Sequence, residues 1–340
     1  MCGIVGFWGA KNYNNIENLI DRMSSKLISR GPDDFGNWVK KEIGLAIGHR
    51  RLSILDISHT GSQPMVSSSK RFIISFNGEI YNHLEIRKEI NDKYFYNSWK
   101  GHSDTETLLA SIEFFGFEQT LSKIIGMFAF SLWDSDKNIL YLARDRIGEK
   151  PLYYGRSNDT FMFSSELKSL LAHPDWNGKI NKASVSLFMR YASVPGTNCI
   201  YDNFKKLSPG HYVKISEFGK KISKPKKYFN LNFKYNDTNI LPFNESKEYL
   251  RLLLNDSIQK QMIADVPVGC FLSGGIDSSL VSSIMQSNST KPIKTFTIGF
   301  NEKNFNEAVY AKRIAKHLNT DHTELYLDTN NVLDLIPQIP

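Results

Sequence analysis

Removal of a single methionine would make Cys2 the first residue of the chain, and a thiol there carries a base in its own backbone. A free α-amine, with a pKa of about 7.7–8.0, takes the proton of a thiol near 8.5 at neutral pH, so no histidine is needed. Four polar clusters accompany it. Arg30-Gly31-Pro32-Asp33-Asp34 is a turn carrying both charges, and Arg50-Arg51-Leu52-Ser53-Ile54 sets paired guanidinium groups at a strand. Asn77-Gly78-Glu79-Ile80-Tyr81-Asn82 follows the apolar run 72–76, and Ser103-Asp104-Thr105-Glu106 opens a helix with Ser103 or Asp104 as its cap. Each has a plain structural reading, since Asn-Gly is a common hairpin turn, paired arginines are surface charge and Ser-Asp-Thr-Glu is a cap. A fifth cluster, Phe271-Leu272-Ser273-Gly274-Gly275-Ile276-Asp277-Ser278-Ser279, lies between a strand and a helix. Small residues at a helix N-terminus expose N–H groups and a positive dipole end to phosphate oxygens. The stretch lacks the Gly-Lys-Ser/Thr of a Walker loop, which disfavours a γ-phosphate cradle.

The elements that hold these clusters fall into two patterns. Residues 3–8 read as a buried strand, followed by a helix with Ile16, Leu19, Ile20, Met23 and Leu27 at helical spacing. Strand-like runs come at 44–48, 72–76, 127–133, 139–143 and 161–164, with helical stretches near 83–91, 104–115 and 181–191. Strands dominate to about residue 216, which predicts stacked, mostly antiparallel sheets covered by helices. Beyond 230 the order becomes helix 245–263, strand 266–272, helix 277–287, strand 293–299, helix 305–318 and strand 322–327. Such alternation predicts a parallel α/β sheet with right-handed crossovers. An open α/β domain commonly has five or six strands, and about three are visible here. The expected domains are 2–216 and 244–340, joined by a polar linker over 217–243.

The 340 residues suit two domains. A net charge of +7 raises the question of nucleic acid, but the lysines are dispersed. Their densest cluster, Lys220, Lys221, Lys224, Lys226 and Lys227, is broken by Pro225 and reads as a solvated hairpin or linker. Neither a zinc-finger nor an RNP pattern accompanies the charge, so no nucleic-acid partner is expected. Cys2, Cys199 and Cys270 are far apart and lack metal spacing, which points to a reducing cytoplasm. No apolar run of membrane-spanning length or signal-peptide pattern occurs, so no membrane partner is expected either.

Taken jointly, Cys2-Gly3-Ile4-Val5-Gly6, His49-Arg50-Arg51-Leu52-Ser53-Ile54, Phe76-Asn77-Gly78-Glu79-Ile80-Tyr81-Asn82 and Ser103-Asp104-Thr105-Glu106 resemble the class II, N-terminal-nucleophile glutamine amidotransferases. The subfamily they resemble is glutamine-hydrolysing asparagine synthetase. Gly126-Met127-Phe128-Ala129-Phe130, the run from Arg144 to Tyr154 and Ser164-Ser165-Glu166-Leu167-Lys168 extend the likeness along the chain. The resemblance implies an αββα sandwich of antiparallel sheets followed by a partial parallel α/β domain of ATP-pyrophosphatase type. It implies that Cys2 attacks the glutamine amide and that its α-amine serves as base, then acid. Asn77 side-chain and Gly78 backbone N–H groups would form the oxyanion hole, where a lost donor costs about 2.7–4 kcal/mol. Arg51 would grip the substrate carboxylate and Asp104 its ammonium, with Ser53, Ile54 and Glu79 in the same pocket. Arg144 and Asp145 would brace the domain.

In the second half, the likeness implies that Ser273, Gly274, Gly275, Asp277 and Ser278 hold pyrophosphate. It implies that Leu272 and Ile298 contact adenine and that Asp277 holds Mg²⁺. The implied enzyme is an ATP-dependent carbon–nitrogen ligase that adenylates aspartate and aminates it with glutamine-derived ammonia. A related amidotransferase with another acceptor, or a glutaminase-only remnant, are the alternatives. Glutamine, ATP and aspartate are the expected partners, with a homodimer left open. Two departures from the family pattern appear. The chain ends before the second Gly-rich acidic loop, so asparagine formation is expected to be absent or weak, and Asn319 replaces a usual glycine at a helix C-cap, where Asn is tolerated.

Overall fold

Six apolar or small residues in a row make β1 (Gly3–Trp8), a strand buried on both faces in the computed structural model. Alternation sends Ile4 and Trp8 into one core and Val5 and Phe7 into another, as a strand inside a layered sandwich must do. The structure describes all residues except 10–12, 14, 232–240, 303, 329–332 and 339–340. It divides into two units, Met1–Asn232 and Phe233–Pro340.

After β1 the first unit's strands are β2 (Asp34–Lys40), β3 (Leu45–Arg51), β4 (Met65–Val66), β5 (Phe72–Ile80), β6 (Gly126–Asp134), β7 (Ile139–Arg144), β8 (Tyr153–Ser157), β9 (Thr160–Ser164), β10 (Phe204–Lys206), β11 (His211–Ser216), β12 (Lys221–Ile222) and β13 (Lys226–Lys227). Its helices are α1 (Ile16–Ser25), α2 (His83–Tyr94), α3 (Asp104–Phe115), α4 (Phe117–Lys123), α5 (Leu167–Leu170) and α6 (Lys182–Tyr191). One antiparallel sheet runs β10-β8-β9-β1-β3-β2 and the other β12-β11-β7-β6-β5-β4, with β13 on β11.

Three cores tie the layers together. Ile4, Leu45, Ile47, Ile73, Ala129, Trp133 and Leu142 meet between the sheets. Leu19, Ile20 and Met23 of α1 pack on Val5, Phe7 and Ala46 of the first sheet. Ile86, Ile90, Leu108 and Ile112 of α2 and α3 pack on Ile74, Phe76 and Phe130 of the second. The result is the four-layer αββα sandwich.

Two strands and an ion pair occupy the stretch read as the start of a linker. β12 and β13 both pair with β11, and Lys226 meets Glu118 at 2.8 Å, so residues to at least 227 are built into the first unit. Residues 232–240 of that stretch lie outside the described ones.

The second unit contains α7 (Phe243–Gln261), β14 (Gly269–Phe271), α8 (Ile276–Ser287), β15 (Lys294–Phe300), α9 (Ala308–Leu318) and β16 (Asp321–Leu327). Its three strands are parallel in the order β14-β15-β16, and each crossover is a helix. β14 is shorter than the strand read at 266–272, because Pro267 cannot donate to a ladder. Asn319 ends α9 in the left-handed region at φ 56°. Among the described residues, no helix is long and apolar enough to cross a membrane.

Candidate functional site

Side-chain alternation carries polar groups into the space between the sheets. On β3, Leu45 and Ile47 face the inter-sheet core, so His49 and Arg51 continue the same face. On β5, Ile73 faces that core and Ser75, Asn77 and Glu79 continue it. Arg50 points the other way, donating to Ser24 O at 3.3 Å and lying over the Phe35 ring. The two polar faces meet at the start of β1.

There they line a cavity of about 90 Å³ with Met1, Cys2, Arg51, Ile54, Asn77, Gly78, Glu79 and Asp104 in its wall. Ser53 is absent from that lining, and its N–H donates to Asp33 Oδ2 at 2.8 Å. Gln63, Met127 and Lys150 line the cavity as well, although sequence reasoning gave them no part in the site.

The Cys2 sulfur accepts from Leu52 N–H at 3.4 Å and lies 3.6 Å from Leu52 O. Burial pushes its thiol pKa up, against the opposing pull of the Leu52 hydrogen bond, so a base must remove the proton. The terminal amine of Met1, beside the thiol, is lowered by burial, and the charges of Arg30 and Lys150 act in the same direction. Arg30 also fixes the strand start, donating to Cys2 O and pairing with Glu166, both at 2.9 Å.

Asn77 is 1% exposed, and its Nδ2 has no hydrogen-bond partner among the described residues. A buried amide donor without a partner costs about 1–3 kcal/mol, so a ligand is its natural complement. Gly78 is required by space: a Cβ would lie 2.1 Å from Met127 O and 2.7 Å from Phe128 Cα. Arg51 donates to Ser58 O at 3.1 Å and to Asp56 O, anchoring the 55–58 loop while keeping other N–H groups for a ligand.

Asp104 begins α3 behind its cap Ser103 and accepts from Ile80 N–H at 2.9 Å. Burial raises its carboxyl to about 6 despite that bond. Glu79 is raised by burial and by Asp104, while Lys150 is lowered by burial and supported by Glu79. The pocket therefore holds two carboxylates that favour a cationic ligand group beside them.

The loop containing Lys150 is organised by Asp145. Its carboxylate accepts from the N–H groups of Gly148 at 2.6 Å, Glu149 and Lys150 at 2.9 Å, and Phe128 at 3.3 Å. Arg144 closes the same loop through Lys150 O and Gly148 O, both at 2.6 Å.

In the second unit, residues 272–275 run from β14 into α8. Gly274 adopts φ +86°, and a Cβ there would come within 2.6 Å of Tyr310 Cβ. Ser273 and Ser278 hydroxyls join at 2.9 Å across the turn. Leu272 is buried and hydrogen bonded to Phe296 O at 2.9 Å, whereas Ile298 and Asp277 are exposed. No group of three or more His, Cys, Asp or Glu with metal-holding geometry occurs among the described residues. A magnesium ion here would therefore rely on Asp277 together with phosphate and water oxygens, which is how the ion is commonly held.

Residues 1–229 match the family model for a glutamine amidotransferase domain, and residues 249–340 that for asparagine synthase. Asparagine synthetase (glutamine-hydrolyzing) 1 of Bacillus subtilis is 36% identical over 345 residues, covering 100% of this chain and 52% of the relative. Putative asparagine synthetase (glutamine-hydrolyzing) 2 of Methanocaldococcus jannaschii is 34% identical over 360 residues, covering 99% and 67%. The chain thus spans about half to two thirds of the length of these relatives. Among solved structures, the B. subtilis glutamine phosphoribosylpyrophosphate amidotransferase complexed with ADP and GMP aligns at a TM-score of 0.51. Its identity is 15%, covering 100% of this chain and 93% of that one, a likeness of fold.

Proposed function

This chain belongs to the family of glutamine-hydrolysing asparagine synthetases, and from that membership we propose that its first unit releases ammonia from glutamine at Cys2. After loss of Met1, the Cys2 α-amine takes the thiol proton as sulfur bonds to the amide carbon. Asn77 Nδ2 and Gly78 N–H receive the negative oxygen. The amine then returns the proton to the departing nitrogen, the C–N bond breaks, and water hydrolyses the thioester to glutamate. Arg51 takes the substrate α-carboxylate and Asp104 its ammonium, with Glu79 and Ile54 alongside and Ser53 in the neighbouring loop.

The observation that carries this reading is the unpartnered Asn77 amide in the same cavity wall as the Cys2 thiol. We assign residues 2–216, with the paired strands to 227, to the glutaminase domain and 244–340 to part of the synthetase domain. There the 273–278 loop takes the pyrophosphate of ATP, Leu272 and Ile298 take the adenine, and Asp277 takes Mg²⁺. The acceptor is the β-carboxylate of aspartate, activated as its adenylate.

The test is intact mass of the purified chain before and after a glutamine-mimicking electrophile, with the label mapped. We expect loss of Met1, one label on Cys2 and glutamate release that the label abolishes. Full-rate glutamate release by a chain that keeps Met1 would overturn the amine-as-base reading. Adding ATP, Mg²⁺ and aspartate tests the acceptor, with asparagine and AMP as the diagnostic products.

A further inference from the structure

β4 is only two residues long. Its register, Met65 opposite Ile74 and Val66 opposite Ile73, would bring Gln63 opposite Phe76 if the ladder continued. Pro64 intervenes, its ring fixing φ at about −65°, short of the extended value of about −140° that an antiparallel strand adopts. The Gln63 side chain takes over instead, its Oε1 accepting the Phe76 N–H at 2.7 Å. On the same edge, the Phe76 carbonyl accepts from His49 Nε2 at 3.1 Å.

Both side chains are buried, His49 at 1% exposure and Gln63 at 8%. A carbonyl only accepts, so Nε2 must carry the imidazole proton, and Nδ1 is left as a buried lone pair without a partner among the described residues. Burial holds the ring's pKa down to about 4, which keeps it a neutral donor at working pH. Gln63 Nε2 also reaches Thr105 Oγ1 at 3.4 Å, beside Asp104.

The N–H groups of a strand alternate in direction, so Phe76, Gly78 and Ile80 present theirs to this one edge. Gln63 takes the first and Asp104 takes the third. Gly78 lies between them. A ladder prolonged in the same register would set residue 61 against Gly78 and consume its N–H.

We propose that His49 and Gln63 are positioning residues for the oxyanion-binding donors: they hold the two peptides that flank Phe76 along one edge of β5 and fix Asn77 and Gly78 in the orientation the reaction needs. This rests on the reading of Asn77 and Gly78 as that donor pair. The peptide joining Phe76 to Asn77 is held through its carbonyl by His49, and the preceding peptide through its N–H by Gln63. Two side chains do this work because a third backbone strand would block the donor it supported.

The test separates transition-state from ground-state binding. Glutamate γ-semialdehyde forms a tetrahedral adduct with Cys2 and needs the oxyanion donors, whereas glutamate needs only the carboxylate and ammonium contacts. For His49→Leu in the full chain, we expect kcat and aldehyde affinity to fall together by about 10- to 100-fold. KM and glutamate affinity should stay within about twofold. His49→Gln, which restores an N–H donor, should recover most of the loss, and Gln63→Leu should repeat the pattern without touching His49. If the variants weaken glutamate as much as aldehyde, or leave the aldehyde unaffected, the inference is wrong. If the parent chain neither hydrolyses glutamine nor captures the aldehyde, the underlying reading of the site falls, and this inference with it.

Discussion

Replacing Asp104 by Asn should weaken the enzyme and strengthen the fold. The carboxyl is 5% exposed and raised by burial to about 6, against roughly 3.9 in an unfolded chain. A difference of about two pKa units corresponds to about 3 kcal/mol of destabilisation when the group is ionised. The folded state holds this proton more tightly than the unfolded chain. The penalty is therefore absent below about pH 4, grows between about 4 and 6, and is complete above 6. Asparagine keeps one oxygen for Ile80 N–H and removes the charge, but its NH2 cannot accept the hydrogen bonds from Thr105, so Asp104→Asn should gain less than about 3 kcal/mol at pH 7.5 and nothing at pH 4. All five tryptophans lie in the first unit, so indole fluorescence in urea reports that unit's unfolding. Against this gain stands the loss of a buried partner for the substrate ammonium, about 2–5 kcal/mol. That is a fall in kcat/KM of about 30- to 5,000-fold, carried by KM. In the parent, kcat/KM should decline as pH drops through about 6 and Asp104 takes up its proton. A variant less stable than the parent at neutral pH would refute the burial argument, and one with unchanged KM would refute the assigned contact.

Gly78→Ala would drive a methyl group into the Met127 carbonyl at 2.1 Å, so β5 and β6 must part. We expect more than a 100-fold loss of glutamine hydrolysis and about 2–4 kcal/mol of destabilisation in fluorescence melts. Asp145→Ala removes the acceptor shared by Phe128, Gly148, Glu149 and Lys150 N–H groups. It should cost at least about 3 kcal/mol in the same melts, with glutamine hydrolysis declining as the Lys150 wall loosens. Asn319→Gly relieves a left-handed residue at φ 56° and should stabilise the end of α9 by about 0.5–1 kcal/mol, read as slower hydrogen exchange at residues 315–320.

Elements with strong apolar periodicity were legible from sequence alone. β1 matches the apolar run at 3–8, and α1 carries its buried Ile16, Leu19, Ile20 and Met23 at the expected spacing. β2 was not read, because Asp-Phe-Gly-Asn-Trp-Val-Lys lies at a sheet edge and is partly exposed. β12 and β13 are two-residue strands in a lysine-rich stretch, and only pairing with β11 defines them. In the site, the chemistry-bearing motifs drew attention to Cys2, Arg51, Asn77 and Asp104. Gln63 lies in none of the motifs, and Lys150 lies in the run from Arg144 to Tyr154, whose likeness gives it no role; tertiary contacts bury both side chains. His49 did leave a signal, since it continues the phase of Leu45 and Ile47 where an apolar side chain was due.

The brevity of β4 limits what the loop before it can tolerate. Substitutions that replace Pro64 and favour extended pairing over residues 57–63 would let the neighbouring ladder zip onward along β5, trading a donor reserved for chemistry for one more rung of scaffold. Such variants would gain order and lose turnover together, so selection for rigidity alone would drift toward a well-folded but silent protein.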